Sequence, residues 1–255
     1  MGSVKYNPLM VSIIMPSYNA DKFIAESIES VLAQSYVEWE LLITDDCSTD
    51  DSYAIAQRYA AQDERIKAFR LEKNGGAAIA RNYSLGLAQG RYVAFLDSDD
   101  LWKREKLEQQ LAFMQKTHAA LTYTDYELMS ERGELLGKRL RMPMQLTYNQ
   151  YLRNTAIGCL TVMVDRAQVG EFQMPNIRSS QDMATWLLIL RRVGVAKGLR
   201  ENLATYRLVQ GSNSSKKLKA AKDVWRVYRE IECLGLLRSV FSFCGYAFNA
   251  VKKRL

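Results

Sequence analysis

Tyr92-Val93-Ala94-Phe95-Leu96-Asp97-Ser98-Asp99-Asp100 is an apolar strand that runs directly into three carboxylates within four residues. Burying one charged carboxylate is costly, and crowding three adds mutual repulsion. A bound cation at the strand end accounts for such a cluster. Hard carboxylate oxygens suit Mg2+ or Mn2+. The same residues could instead form a solvated Asp-rich turn capping a helix that starts near Leu101. The rest of the chain decides between the two.

Upstream, Val11-Ser12-Ile13-Ile14-Met15 is another short apolar run, stopped by Pro16 and followed by the loop Pro16-Ser17-Tyr18-Asn19. Ile24, Ile28, Val31 and Leu32 then share one helical face. Leu41–Thr44 reads as a strand running into Asp45-Asp46-Cys47-Ser48-Thr49-Asp50, and Asp50 or Asp51 can cap a helix over Ser52–Ala61. Ile66–Leu71 is a strand, Asn74-Gly75-Gly76 breaks the chain, and a helix follows over about Ala77–Ala88. The first hundred residues thus alternate strand and helix, which predicts an α/β fold with a mostly parallel sheet covered by helices. Ligands in such sheets lie beyond the C-terminal strand ends. Three strands here end in polar clusters: Pro16–Asn19, Asp45–Asp50 and Asp97–Asp100. No Gly-rich phosphate loop is present, so a metal ion could take over the phosphate-holding task.

Beyond Asp100 the spacing predicts a helix over Trp102–Lys116 and strands at Ala120–Tyr123, Gly158–Val164 and Leu203–Leu208. Glu131–Gln145 reads as loop and edge hairpin on an acceptor-side surface. Gln181-Asp182 opens an apolar helix, Met183–Val193, where a carboxylate is often only a cap. Gly211–Lys217 is a polar, basic segment that could fold over an anionic ligand.

The chain has 255 residues, 48% apolar and 25% charged, which suits a globular domain with a sizeable core. Met1–Pro8 carries no leader-like apolar run. Cys47, Cys159, Cys233 and Cys244 have no zinc or redox spacing and read as reduced cytosolic thiols. A single histidine, His118, shifts acid–base work onto carboxylates. The net charge of +7 belongs to the tail: residues 216–255 hold ten Lys/Arg against three Asp/Glu, and the first 215 balance at 25 against 25. This argues against a nucleic-acid partner for the main domain.

These stretches in this order resemble family 2 glycosyltransferases of the GT-A fold, similar to bacterial enzymes that build surface polysaccharides and lipooligosaccharides. The matching pieces are Pro16–Asn19, Asp45–Asp50, Asn74-Gly75-Gly76 with Arg81-Asn82, Asp97–Asp100 and Gln181-Asp182, over roughly residues 9–215. The resemblance implies a Rossmann-like nucleotide-binding half (about 9–100) and an acceptor-side half (about 101–215); the remaining 216–255 reads from its own composition as a basic amphipathic helical extension. It implies that Pro16 and Tyr18 flank a uracil and that Asp46 accepts its N3–H, with Asp45 structural. Arg81 and Ser98 would lie on the nucleotide side. Asp97-Ser98-Asp99 matches the family's Asp-x-Asp motif, with Asp99 as ligand to Mn2+ or Mg2+ and Asp97 contacting ribose or metal-bound water. That leaves Asp100 to cap the helix expected at Leu101. Asp182 falls at the catalytic base. The chain departs from the family at Gln181, where Glu is common, and at Val209, where an Arg-x-His pattern ending at this position would have His. Arg207, Ser214 and Lys216 could still meet phosphate.

The implied reaction is single displacement on a UDP-sugar by a glycan or lipid-linked glycan hydroxyl, inverting the anomeric carbon to a β-linkage. A nucleotidyltransferase is a rival, but it would carry an early Gly-rich basic loop that Pro16–Asn19 is not. A catalytically silent nucleotide-sugar-binding subunit is a second rival, against which the intact Asp99 and Asp182 argue. In the tail, the apolar stretch within Leu234–Val251 is too short to span a bilayer and is flanked by Lys216, Lys217, Lys219, Lys222 and Lys252-Lys253-Arg254. It reads as an interfacial helix on the inner face of the cytoplasmic membrane, or as a helix packed on the body.

Overall fold

The computed structural model describes residues 6–209 and 217–252. Gly211–Lys216, with Ser214 and Lys216, and Lys253-Arg254 lie outside the described residues. So do the side chains of Lys217, Lys219 and Lys252.

The first half alternates as its apolar runs predict. β1 (Asn7–Ser17), α1 (Ile24–Leu32), β2 (Trp39–Asp45), α2 (Ser52–Ala60), β3 (Ile66–Arg70), α3 (Ala77–Leu87) and β4 (Gly90–Phe95) follow in order. β1 pairs in parallel with both β2 and β4, and β2 with β3. The central strands are largely apolar because both faces are covered. Alternation within each run sorts side chains into two layers. Val11, Ile13, Met15, Leu41, Ile43, Tyr92, Ala94 and Leu96 share a core with Ile24, Ile28 and Val31 of α1. Ile14, Leu42, Val93 and Phe95 point the other way, toward Ala78 and Leu85 of α3 and Trp186. Trp186 meets Phe95 edge-on at 5.3 Å between centroids.

The second half comprises β5 (Leu101–Trp102), α4 (Lys106–Thr117), β6 (Leu121–Ser130), β7 (Leu135–Leu140), β8 (Gln145–Thr147), α5 (Tyr148–Arg153), β9 (Met163–Asp165), α6 (Arg166–Val169), α7 (Gln181–Val193) and β10 (Val195–Leu208). Among the described residues one sheet runs β3-β2-β1-β4-β9-β6-β10-β5, with β7 on β6 and β8 on β10. β9 is antiparallel to both β4 and β6. The order reverses direction at β1 and β4, so their C-terminal ends flank the crevice where such sheets bind ligands.

Several boundaries differ from expectation. β1 runs through Pro16, which stands opposite Thr44. The Gly158–Val164 run divides into a 3-10 turn, Cys159–Thr161, and the short β9. No helix starts at Leu101; that residue pairs with Thr205 in β5, and α4 begins at Lys106. Glu131–Gln145 does form an edge hairpin, with β7 antiparallel to β6.

The tail forms α8 (Lys217–Arg226), a π-helical turn (Val227–Ile231) and α9 (Leu236–Lys252). Val224, Val227 and Tyr228 are buried in the same core as Phe95 and Trp186. Trp225 and Phe243 pack edge-to-face between α8 and α9, 5.7 Å apart.

Candidate active site

The strand ends are braced against one another before any ligand is considered. Asp46 N–H donates to the Ser17 carbonyl, Asn19 N–H to Ser48 Oγ, and Thr49 N–H to Asn19 Oδ1. Asn19 adopts the left-handed region (φ 48°), which asparagine tolerates better than most residues. Asp50 accepts the N–H groups of Asp21 and Ser52, so it ties the β1 loop to the start of α2. Tyr18 projects into solvent, half exposed, beside this frame.

The two adjacent carboxylates at the end of β2, Asp45 and the following Asp46, do different work. Asp45 is fully buried and accepts from Ser48 N–H and Oγ–H, a loop-holding role. Asp46 aims one oxygen at Gly75 N–H and the other at Gly76 N–H, both at 2.7 Å. Each oxygen keeps a second lone pair for a ligand N–H. Gly76 has φ 90°, a conformation that favours glycine, and it presents its amide to Asp46 in that conformation. Asn74-Gly75-Gly76 is thus the partner of Asp46, a pairing across 29 and 30 residues with no local trace in sequence.

At the end of β4, Asp97 forms a short ion pair with Arg81 of α3. Burial is the largest single influence on the Arg81 guanidinium and opposes its charge, but Asp97, Cys159 and Asp182 together more than offset it and raise the arginine above its usual range. Arg81 Nε is buried with no protein partner among the described residues. Ser98 is buried. Asp99 is lifted to about 6, first by burial and then by repulsion from Asp97. Asp100 is not a helix cap. It is 1% exposed, its Oδ1 accepts the Arg207 N–H at 2.9 Å, and its Oδ2 has no partner among the described residues. Burial, then Asp99 and Asp97, push its pKa well above the carboxylate range.

Arg207, near the end of β10, was expected toward phosphate. In this structure its guanidinium meets protein partners: the Asp99 carbonyl at 2.9 Å, the Glu131 carbonyl at 3.2 Å and the Glu26 carboxylate at 2.6 Å. It also lies over the Phe23 ring. It therefore fixes the Asp99-Asp100 loop to α1. Glu26 and Phe23 were not singled out in the sequence, and nothing local marks them.

Asp182 stands in the first turn of α7, with Met183 N–H donating to its Oδ1 at 2.8 Å. Burial raises its pKa, and Asp97 adds to the rise while Arg81 opposes it. Asp182, Asp97, Arg81 and Asp99 therefore share one electrostatic neighbourhood, although Asp182 comes from a different part of the chain. Ser180 just before this turn sits at φ 60°, a sparsely populated conformation for serine. Cys159, buried, also feels Arg81, Asp97 and Asp182, and was not foreseen as part of the site.

Among the described residues no three His, Cys, Asp or Glu side chains are arranged to hold an ion by themselves. A divalent ion here would use one or two of the Asp97–Asp99 carboxylates and oxygens of a bound phosphate, the usual division for Mg2+. The crowded, partly unpaired carboxylates fit that role. The larger cavity, about 610 Å³, lies elsewhere, at the far end of α7 beside Tyr148, Arg191 and Arg238. A smaller one, about 280 Å³, is lined by Arg178 and Ser179 of the loop leading to Asp182 and by Asp223 and Arg226 of α8.

The model of the family described as "Glycosyl transferase family 2" matches residues 12–168. A Bacillus subtilis protein named as a teichuronic acid biosynthesis glycosyltransferase, TuaG, is 55% identical over 96% of this chain and 98% of its own. The UDP-Glc:α-D-GlcNAc-diphosphoundecaprenol β-1,3-glucosyltransferase WfgD of Escherichia coli is 40% identical over 96% of this chain and 94% of its own. Among solved structures, S. aureus TarS 1-349 in complex with UDP-GlcNAc superposes with a TM-score of 0.75 at 23% identity, over 93% of this chain and 71% of that one. The mannosyltransferase PcManGT from Pyrobaculum calidifontis in complex with GDP-Man and Mn2+ gives a TM-score of 0.71 at 16% identity, over 97% of this chain and 71% of that one. At these identities the two structures speak to the fold.

Proposed function

The chain belongs to glycosyl transferase family 2, and from that premise we propose that it is an inverting transferase acting in bacterial surface polysaccharide synthesis. It moves a sugar from a UDP-sugar to a hydroxyl of a lipid-linked glycan and forms a β-linkage. It works at the inner face of the cytoplasmic membrane, where such an acceptor lies. The observation that carries this reading is the pairing of Asp182, a carboxylate of raised pKa at a helix start, with the separate Asp97–Asp99 cluster.

Pro16 and Tyr18 flank the uracil, and Asp46 accepts its N3–H with the lone pairs that Gly75 and Gly76 leave free. Arg81 and the buried Ser98 lie on the nucleotide side, and Asp97 faces the ribose. A divalent ion, when bound, offsets the charge that develops on the departing diphosphate. Asp99 would hold that ion, and Arg207 holds the loop that carries Asp99. Asp182 takes the proton from the acceptor hydroxyl as its oxygen bonds to the anomeric carbon. The bond from that carbon to the diphosphate oxygen breaks on the opposite face, and UDP leaves with the electron pair. Positioned base catalysis is worth roughly 100- to 10,000-fold.

Asp182→Asn tests the assignment. Turnover should fall by about that factor while UDP-sugar binding, read by calorimetry with Mn2+, stays near wild type. Near-normal turnover at saturating donor removes Asp182 from the role of base.

A further inference from the structure

α9 carries apolar side chains on two faces, one packed on the body and one largely exposed. Inward, Ser239, Ser242, Phe243 and Tyr246 pack on the body. Outward, Leu237 is 87% exposed, Val240 46%, Phe241 59% and Phe248 69%, with Cys244 exposed between them. These positions follow i, i+3, i+4, i+7 and i+11, so they form one stripe along three turns of helix. Single exposed apolar residues are ordinary on a protein surface, but a stripe in helical register is not. No helix among the described residues is long and apolar enough to cross a membrane.

The margins of the stripe indicate what covers it. The Arg153 guanidinium sits 4.4 Å over the Phe241 ring, and Arg238, exposed, is held by Asn149 Oδ1 and lies over Tyr148. Lys222, Arg226 and Arg229 are exposed on the preceding α8 and π-helical turn. Of the acids in this region, Glu232 is buried and Asp223 is bonded to Ser179, which leaves Glu230 exposed beside Arg226. An apolar strip edged by cations complements an anionic lipid leaflet, with acyl chains for the stripe and phosphates for the arginines. A second copy of this chain fits poorly, because a two-fold contact through the stripe would set arginine edges against each other.

We propose that the outer face of α9 is the surface by which this chain lies on an anionic membrane. Leu237, Val240, Phe241, Cys244 and Phe248 sit below the headgroups, and Arg153 and Arg238 sit at phosphate level. The proposal rests on the lipid-linked acceptor reading only for which membrane is met.

Flotation of the full chain with vesicles of phosphatidylglycerol and phosphatidylcholine, and with phosphatidylcholine alone, is the test. Wild type should float with the anionic vesicles, and less so as salt is raised. The variant Leu237→Asp/Phe241→Asp/Phe248→Asp should lose at least about tenfold in partitioning. Its circular dichroism and Tm should match wild type, because the changed side chains are exposed. Arg153→Gln/Arg238→Gln should bind both vesicle types about equally. Equal flotation of wild type and the triple variant overturns the proposal, as does a wild type that ignores anionic vesicles. A dimer seen by light scattering that the triple variant splits, without vesicle binding, assigns the stripe to a second copy instead. UDP release from UDP-sugars in detergent-free buffer is read separately, so loss of the transferase assignment and loss of the docking surface are distinguishable.

Discussion

Asp99→Asn is expected to stabilise the folded chain and to remove metal-dependent UDP release together. Asp99 is raised from 3.8 to about 6 by burial and by the neighbouring Asp97. A difference of that size disfavours its charged form by up to about 3 kcal/mol at neutral pH. Asparagine keeps the shape and the backbone carbonyl that Arg207 Nε uses, and drops the charge. A gain of about 1–3 kcal/mol at pH 7 follows, or about 2–4 °C in Tm for each kcal/mol. The gain should depend on pH in a defined direction. As pH falls from about 6 toward 3.8, folded wild type takes up a proton that the unfolded chain does not yet hold, and the penalty fades. The advantage of the variant is therefore largest at pH 7 and near zero at pH 4. Urea unfolding of both proteins at pH 7, 5.5 and 4 reads the difference directly. Mn2+ with UDP should raise the Tm of wild type and leave that of the variant unmoved. A variant that is no more stable than wild type at pH 7, or equally shifted at all three pH values, refutes the claim that this carboxylate is held against its electrostatic preference.

Arg207→Met should destabilise by about 2–4 kcal/mol in urea unfolding, because it frees the Asp99 and Glu131 carbonyls and the Asp99-Asp100 loop; the half-exposed Glu26 contributes little of this. Asp46→Asn turns an amide NH2 toward the Gly75 or Gly76 N–H, so it should cost about 1–3 kcal/mol and weaken UDP binding in calorimetry. The acid limb of turnover against pH should lie above the ordinary carboxylate value near 4, since burial raises Asp182 and only its charged form accepts a proton; a limb at or below 4 would contradict this.

The parallel half of the fold was legible because its strands are buried on both faces. Val11–Met15, apolar but for Ser12, and the unbroken runs Leu41–Ile43 and Tyr92–Leu96 each stop at a polar cluster that the sheet gathers on one edge. The second half was harder because its order is set by distant pairing. Gly158–Val164 is apolar enough for a strand, yet it turns at Cys159–Thr161 to enter between β4 and β6. An apolar run does not report such a turn. Asp100 looked like a helix cap by local spacing. Its place is fixed by Thr205 pairing with Leu101 and by the Arg207 N–H, 107 residues away.

That same distant contact explains how three acids within four residues can share one strand end. Asp97 has its charge matched by Arg81. Asp100 is buried and accepts a backbone N–H of β10, and burial, then Asp99 and Asp97, raise its pKa. Asp99 has only its carbonyl, not its carboxylate, on the Arg207 guanidinium. Its carboxylate is disfavoured by burial and by Asp97, and the charges of Arg207 and Arg81 offset this only in part. A divalent cation gains most at an unmatched carboxylate, and it relieves the repulsion from Asp97 at the same time. This favours Asp99 over Asp97 as the direct ligand, and it predicts that Mn2+ protects wild type but not Asp99→Asn, whereas Asp97→Asn keeps part of that protection.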